Sequence, residues 1–262
     1  MKNQDKQIKE LEAQGFCTFK NYFSKNTITK MEGEFDKIIK QYQHEAKSKN
    51  GVIKSIKLKE LEAEGYSALP EAMCDGRLIS VVNGFYEKVY DSKFTDEPFD
   101  KVDLEFNDEV GKSINSGLHY DRIPSLKCQI YLNDVAINNG AMVVLPKSQA
   151  DARQIALAML EKNPNPLYLK NFWKKDPEKL AVLSGSSGTP TIFDTMVLHK
   201  GGEIKTGKRK TLRMVKWPPK LNKQYYMFGV KKNSKFQADD FYHPKSAENK
   251  NQVNPRFLYS DL

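Results

Sequence analysis

Apolar residues recur at helical spacing in the first third of the chain and at alternate positions through most of the rest. Residues 5–13 (Asp-Lys-Gln-Ile-Lys-Glu-Leu-Glu-Ala) read as a short helix, ended by Gly15 in a C-terminal cap role. Phe16-Cys17-Thr18-Phe19-Lys20 follows as a short strand. Ser24 is a helix-starting residue, and Ile28, Met31, Phe35, Ile38 and Ile39 keep helical spacing to about Tyr42. Residues 44–50 form a polar connector. Ile79, Val82, Phe85, Tyr86 and Val89 predict a second long helix over 78–90.

From Val102 the period shortens. Val102-Asp103-Leu104-Glu105-Phe106 alternates apolar with polar, and 126–132 and 141–146 read as apolar-rich strands. Asn138-Asn139-Gly140 between them predicts a hairpin turn, because Asn and Gly accept positive φ. A helix over 152–162 is broken by Asn163-Pro164-Asn165-Pro166. The stretches 188–198 and 211–217 supply two more strands. Helices first and short strands afterwards give an α+β, mainly β pattern, and the β part suits a closed jelly-roll or cupin-like barrel. The division expected is one domain over 1–262: a mainly helical flank to residue 100, a barrel over 101–217 with a lid-like insertion at 151–183, and a basic, aromatic tail over 218–262. No internal repeat is visible.

Composition narrows the setting. The chain has 262 residues, 39% of them hydrophobic, which is ample for a core. No apolar run approaches the roughly 20 residues that span a bilayer, and the polar start Met1-Lys2-Asn3-Gln4-Asp5-Lys6 is not a signal peptide. Cys17, Cys74 and Cys128 lie far apart, so a disulfide scaffold or structural zinc site is not expected, and the three read as small half-buried residues in a reducing cytoplasm. The formal net charge of +9 favours anionic partners, although the lysines are spread along the chain and much of the excess follows from lysine-rich composition.

Candidate chemistry centres on Gly117-Leu118-His119-Tyr120-Asp121. Residues two apart on a strand point to the same side, so His119 and Asp121 converge. A second imidazole stands at His199, at the end of Thr191-Ile192-Phe193-Asp194-Thr195-Met196-Val197-Leu198-His199 and before Gly201-Gly202, which can turn sharply. Two imidazoles and one carboxylate with open positions make the facial triad of non-haem Fe(II) oxygenases. Arg209 follows on the next candidate strand, where a guanidinium suits a dicarboxylate co-substrate. Lys208 and Lys210 are rivals, and Arg213 is the serious alternative because it shares a strand face with Arg209 and Thr211, with Leu212 opposite. His44 and His243 sit in polar, charged surroundings and read as solvated.

Leu118-His119-Tyr120-Asp121, the strand through Gln129, and Asn138-Asn139-Gly140-Ala141-Met142-Val143-Val144-Leu145-Pro146-Lys147-Ser148 resemble the phytanoyl-CoA dioxygenase family, which are Fe(II)/2-oxoglutarate-dependent oxygenases. The resemblance continues through Gly188-Thr189-Pro190-Thr191-Ile192-Phe193-Asp194 to His199 and on to Lys208-Arg209-Lys210. Gly15-Phe16-Cys17-Thr18-Phe19 with Tyr22-Phe23-Ser24 looks like the family's entry strand and helix, so the match covers roughly residues 8–217 in order. It implies a double-stranded β-helix, His119, Asp121 and His199 as iron ligands, Arg209 as anchor for the distal carboxylate of 2-oxoglutarate, and Gln129 facing the co-substrate. Two positions depart from the pattern: Lys200 stands where Gly is frequent, and Gly201 where a co-substrate-binding Ser often sits. Halogenating relatives carry Gly or Ala at the carboxylate position, so Asp121 implies hydroxylation or a related oxidation.

The leading expectation is therefore a cytoplasmic dioxygenase using Fe(II), 2-oxoglutarate and O2, with ascorbate as a possible reductant. It hydroxylates a small anionic or carrier-linked metabolite and releases succinate and CO2. Tyr168, Lys170, Phe172, Trp173, Lys174 and Lys175 fall in the expected lid, while the tail closes one end or mediates a homodimer contact. Tyr120 and Arg122 point away from the metal by alternation. A nucleic-acid oxidative demethylase would share the triad and explain the charge, but the chain shows no basic stripe interleaved with aromatics. A non-catalytic cupin-like binding protein is the third class, and the triad with Arg209 argues against it.

Overall fold

A computed structural model describes residues 2–42, 47–48, 51–90, 97–108, 110–111, 121, 125–149, 152 and 179–216. His119, Tyr120, Arg122, His44, His243, most of the 151–183 insertion and the 218–262 tail lie outside the described residues.

Helix α1 spans Lys2–Gln14 and strand β1 Phe16–Thr18. The predicted cap is present: the Gly15 amide donates to Leu11 O at 2.9 Å. Helix α2 spans Lys25–Tyr42, its first turn capped by the Ser24 hydroxyl, which accepts from the Thr27 amide at 3.1 Å. Ile28, Met31, Phe35, Ile38 and Ile39 form its buried stripe, as the spacing predicts. The segment with no strong period then folds into β2 (Lys47–Ser48), β3 (Gly51–Lys57), α3 (Leu58–Ala63) and α4 (Ala68–Met73). Glu34 organises this region: its carboxylate accepts from the Ser67, Ala68 and Leu69 amides, each at 2.9 Å, so an acid on α2 satisfies the open N–H groups at the start of α4. Helix α5 (Gly76–Tyr90) begins likewise on Asp75, which accepts from the Arg77 and Leu78 amides and the Tyr22 hydroxyl.

The remaining strands are β4 (Lys101–Asn107), β5 (Leu126–Tyr131), β6 (Met142–Leu145), β7 (Ala181–Leu183), β8 (Pro190–Asp194), β9 (Leu198–Lys200) and β10 (Arg209–Lys216). They build two antiparallel sheets, ordered β1-β8-β5-β10-β4-β3-β2 and β7-β6-β9. One face of the large sheet (Cys17, Ile56, Val102, Leu104, Cys128, Ile130, Ile192, Leu212, Met214) joins the apolar faces of the helices in the main core. The small sheet packs on the other face, through Met142, Val144 and Leu183 against Phe193 and Val197. Tyr131 pins the sheets together, its buried hydroxyl donating to Leu183 O and accepting from the Met142 amide, each at 3.0 Å. This is the expected mainly β, α+β architecture of a double-stranded β-helix with N-terminal flanking helices.

Three local expectations are corrected. Asn138-Asn139-Gly140 is a turn, with Gly140 at φ 88°, but it is not a hairpin. β5 pairs with β8 and β10 and β6 with β7 and β9, so the turn carries the chain from one sheet to the other. Local turn chemistry sets the φ, whereas the choice of pairing partner belongs to the whole fold. The apolar run 188–198 is two strands, one in each sheet. Asp194 breaks it by accepting from the Met196 amide at 2.9 Å through its side chain and from the Val197 amide at 2.9 Å through its backbone. Gly202 serves close approach rather than a sharp turn, since a Cβ there would stand 2.2 Å from Ala141 O. The cysteines also differ from expectation: Cys17 and Cys128 are fully buried and Cys74 is exposed.

Candidate active site

The break after β8 brings His199 to Asp121. Thr195 holds both ends of the intervening segment: its carbonyl accepts from the Asp121 amide at 2.9 Å, and its hydroxyl accepts from the Ser125 amide at 2.9 Å. Ser148, the last residue of the Pro-x-Ser stretch, ties β6 to β9, donating to Leu145 O at 2.7 Å and accepting from the Leu198 amide at 2.8 Å. His199 lies in the middle of β9, with its ring edge-on to Phe193 at 5.1 Å. Its Nδ1 stands 2.8 Å from Val197 O. A carbonyl oxygen only accepts, so Nδ1 carries the hydrogen and Nε2 the lone pair, which is the tautomer a metal ligand needs. Nε2 faces Asp121 Oδ1 at 3.9 Å. With donor–cation bonds of about 2.1 Å, cis ligands of one ion stand about 3 Å apart, so the two groups face one point at a spacing about 1 Å wider than a bound ion would set.

Strand register makes the inner face of the large sheet polar. Lys127, Gln129 and Tyr131 on β5 stand opposite Val215, Arg213 and Thr211 on β10, which stand opposite Lys101, Asp103 and Glu105 on β4. The alternation in 102–106 is thus inverted from the usual surface strand: Val102 and Leu104 face the helices, while Asp103 and Glu105 are buried on the opposite face of the sheet. Arg213 neutralises both, at 3.2 Å from Asp103 Oδ2 and 2.5 Å from Glu105 Oε1. Ser55 and Lys101 also donate to Asp103. Burial pushes the Asp103 carboxyl up, but Arg213, Ser55 and Lys101 outweigh it and hold the group below the ordinary carboxylate range.

Arg209 is the other guanidinium on this face, only 3% exposed. It donates to Gly140 O and, at 3.0 Å, to Asn107 Oδ1. Among the described residues no carboxylate pairs with it. Its Nε and the Thr211 hydroxyl, two residues on along the same face, are buried without hydrogen-bond partners among those residues. Gln129 is buried beside the Tyr131 hydroxyl and pairs across the sheet with Thr191 and Arg213. Lys210, one of the rivals, belongs to the other face, where it bridges to Glu32 at 2.7 Å and Asp36 at 2.8 Å on α2.

Lys127 is the neighbour that spacing did not single out. Its ammonium lies 2.5 Å from Asp121 Oδ2. Burial lowers its pKa, with Arg213 adding to the effect and Asp121 opposing it. Its inward direction was readable from Gln129, two residues on along one face. That it meets Asp121 was not, because Asp121 lies outside the named strands and is placed by its amide on Thr195. Two of the three expected metal donors, Asp121 and His199, are therefore together. The third, His119, lies outside the described residues, and among the described residues no cluster of three His, Cys, Asp or Glu is complete. A surface groove of about 500 Å³ lined by Asp134, Asn138, Asn139, Ser186 and Thr206 contains none of these groups.

Residues 114–212 match the family model of phytanoyl-CoA dioxygenase (PhyH), in agreement with the resemblance carried by the sequence motifs. No curated protein sequence matches the chain. Solved structures do share the fold. AviO1 from Streptomyces viridochromogenes Tue57 superposes with a TM-score of 0.59 at 15% identity, over 84% of this chain and 96% of that one. The epimerase SnoN in complex with Fe3+, alpha ketoglutarate and nogalamycin RO gives 0.55 at 12% identity, over 82% and 83%. HygX from Streptomyces hygroscopicus with nickel and 2-oxoglutarate bound gives 0.54 at 13% identity, over 82% and 87%.

Proposed function

We propose that this phytanoyl-CoA dioxygenase-like chain is an Fe(II)/2-oxoglutarate-dependent oxygenase that hydroxylates a small anionic or carrier-linked metabolite, releasing succinate and CO2. The observation that carries the reading is a set of polar groups drawn from both sheets. His199 Nε2 stands 3.9 Å from a carboxylate oxygen of Asp121, and Arg209, buried on the inner face of the large sheet, pairs with no carboxylate among the described residues. SnoN with Fe3+ and alpha ketoglutarate and HygX with nickel and 2-oxoglutarate, which share the fold, support the choice of cofactor and co-substrate.

In this reading His119, Asp121 and His199 hold the iron. The donor set suits the group, since imidazole nitrogen and carboxylate oxygen both bind Fe(II). When bound, iron and 2-oxoglutarate supply the oxidising power that O2 alone lacks toward an unactivated C–H bond. The protein's part is placement. Val197 O fixes the His199 tautomer, and Thr195 fixes the Asp121 backbone. Arg209 holds the distal carboxylate of 2-oxoglutarate, with the orphaned Thr211 hydroxyl completing its hydrogen bonds and Gln129 beside it. Arg213 is the weaker candidate because Asp103 and Glu105 already neutralise it. Phe193, Val144 and Val197, an apolar cluster with Phe193 edge-on to His199, keep water from the iron. The intact carboxylate of Asp121 leaves no room for a halide ligand, which favours hydroxylation over halogenation.

The test is succinate formation from 2-oxoglutarate with Fe(II) and ascorbate. It reads consumption of the co-substrate and so holds whichever bond of the substrate reacts. Turnover is expected in the wild type and abolished in His119→Ala and His199→Ala. Full metal loading without turnover across a panel of anionic metabolites would sink the reading.

A further inference from the structure

We infer that Lys127 is the positioning residue of the metal site: it holds one oxygen of Asp121 and thereby presents the other, singly, to the cation. This rests on the metal reading above and names a role for a residue outside the ligand set. The two carboxylate oxygens of Asp121 are divided in the structure. Oδ2 accepts from the Lys127 ammonium at 2.5 Å, and Oδ1 faces His199 Nε2 at 3.9 Å. Lys127 reaches this point from β5, a central strand paired on both sides by β8 and β10, so the ammonium is delivered from a rigid element. Asp121, by contrast, sits outside the named strands and is tied to the described frame through its amide on Thr195. An ammonium donates and cannot accept, so it takes an oxygen and offers no lone pair to the metal. A carboxylate held this way binds through one oxygen, keeping open the further positions that co-substrate and O2 require. The ion pair is also secluded, the side chains being 14% and 19% exposed, which keeps bulk water from replacing the lysine.

Charge and hydrogen bonding act in opposite directions here. The ammonium repels a dication, while its hydrogen bond orders the ligand. Lys127→Gln keeps a donor without the charge, and Lys127→Met keeps neither, so comparing the two isolates orientation. Co(II) serves as probe, read by visible absorption in metal-titrated protein, followed by titration with 2-oxoglutarate and a melting curve of each metal-free variant. Lys127→Gln is expected to retain the wild-type Co(II) spectrum. Lys127→Met is expected to change it and to bind Co(II) and 2-oxoglutarate roughly tenfold or more weakly than Lys127→Gln, the scale on which outer partners of metal ligands act. Identical spectra and affinities for the two variants overturn the role. If Lys127→Met does not fold, a spectrum altered in folded Lys127→Gln overturns it equally, because a neutral donor should suffice. A wild-type protein that binds no Co(II) would instead overturn the metal reading itself, before any variant is compared.

Discussion

Arg209 and Arg213 occupy the same face of β10, four residues apart, and differ in what surrounds them. Arg213 is engaged by two carboxylates, whereas Arg209 meets only a carbonyl and an amide oxygen among the described residues. A buried cation without a counter-ion is costly unless an anion joins it, and in the proposed function 2-oxoglutarate supplies one. Arg209→Ala is therefore expected to weaken 2-oxoglutarate binding by about a hundredfold, corresponding to the roughly 2–3 kcal/mol of a charged hydrogen-bonded contact. Arg213→Ala instead leaves Asp103 and Glu105 buried and unpaired, and should lower stability by about 3–5 kcal/mol. Calorimetric titration and denaturant unfolding of both variants check the pair; the reverse pattern would assign the anchor to Arg213. Both arginines were legible as candidates in the sequence, along with their shared face. What separates them was not, because the neutralising acids come from β4, about a hundred residues earlier.

At the scale of elements, β4 shows why periodicity alone misleads. Its apolar–polar alternation is plain in the sequence, yet the polar side turns inward, since the helices cover the other face of the sheet. Asp103 makes this testable. Its carboxyl is held below the ordinary value of about 3.9, so it contributes stability that is present above that pH and lost as pH falls through its folded value. Asp103→Asn should then cost on the order of 3 kcal/mol near neutral pH, with the gap to wild type closing below about pH 4. A gap that stays constant down to pH 3 in urea unfolding would contradict the ion-pair account. The helices α1, α2 and α5 were readable because each buries one continuous stripe. β3, α3 and α4 were not, because they are short and α4 depends on a cap from Glu34, in another helix. The run 188–198 looked continuous because both halves are apolar. The hydrogen bonds of Asp194, not a change in composition, divide it.

At the scale of the molecule, Tyr131 joins the two sheets, and a polar face built by β4, β5 and β10 reaches His199 on β9 through Lys127 and Asp121. The order of motifs was legible in the sequence: the His-x-Asp, the Asn-Gly turn, His199 and the later arginine. Ser148 was visible as part of the motif and Lys127 as an inward position, but the contacts of Lys127 and Thr195 were not legible, because they join residues far apart in sequence. No helix among the described residues is long and apolar enough to cross a membrane. In the proposed function Asp121 and His199 help to hold a metal, and Arg209 holds 2-oxoglutarate beside it. Calorimetric titration of 2-oxoglutarate into anaerobic, Fe(II)-loaded protein tests it most directly. One site per chain is expected, requiring the metal and lost in both His199→Ala and Arg209→Ala. Binding that is equally tight without iron, or unchanged in His199→Ala, would contradict it.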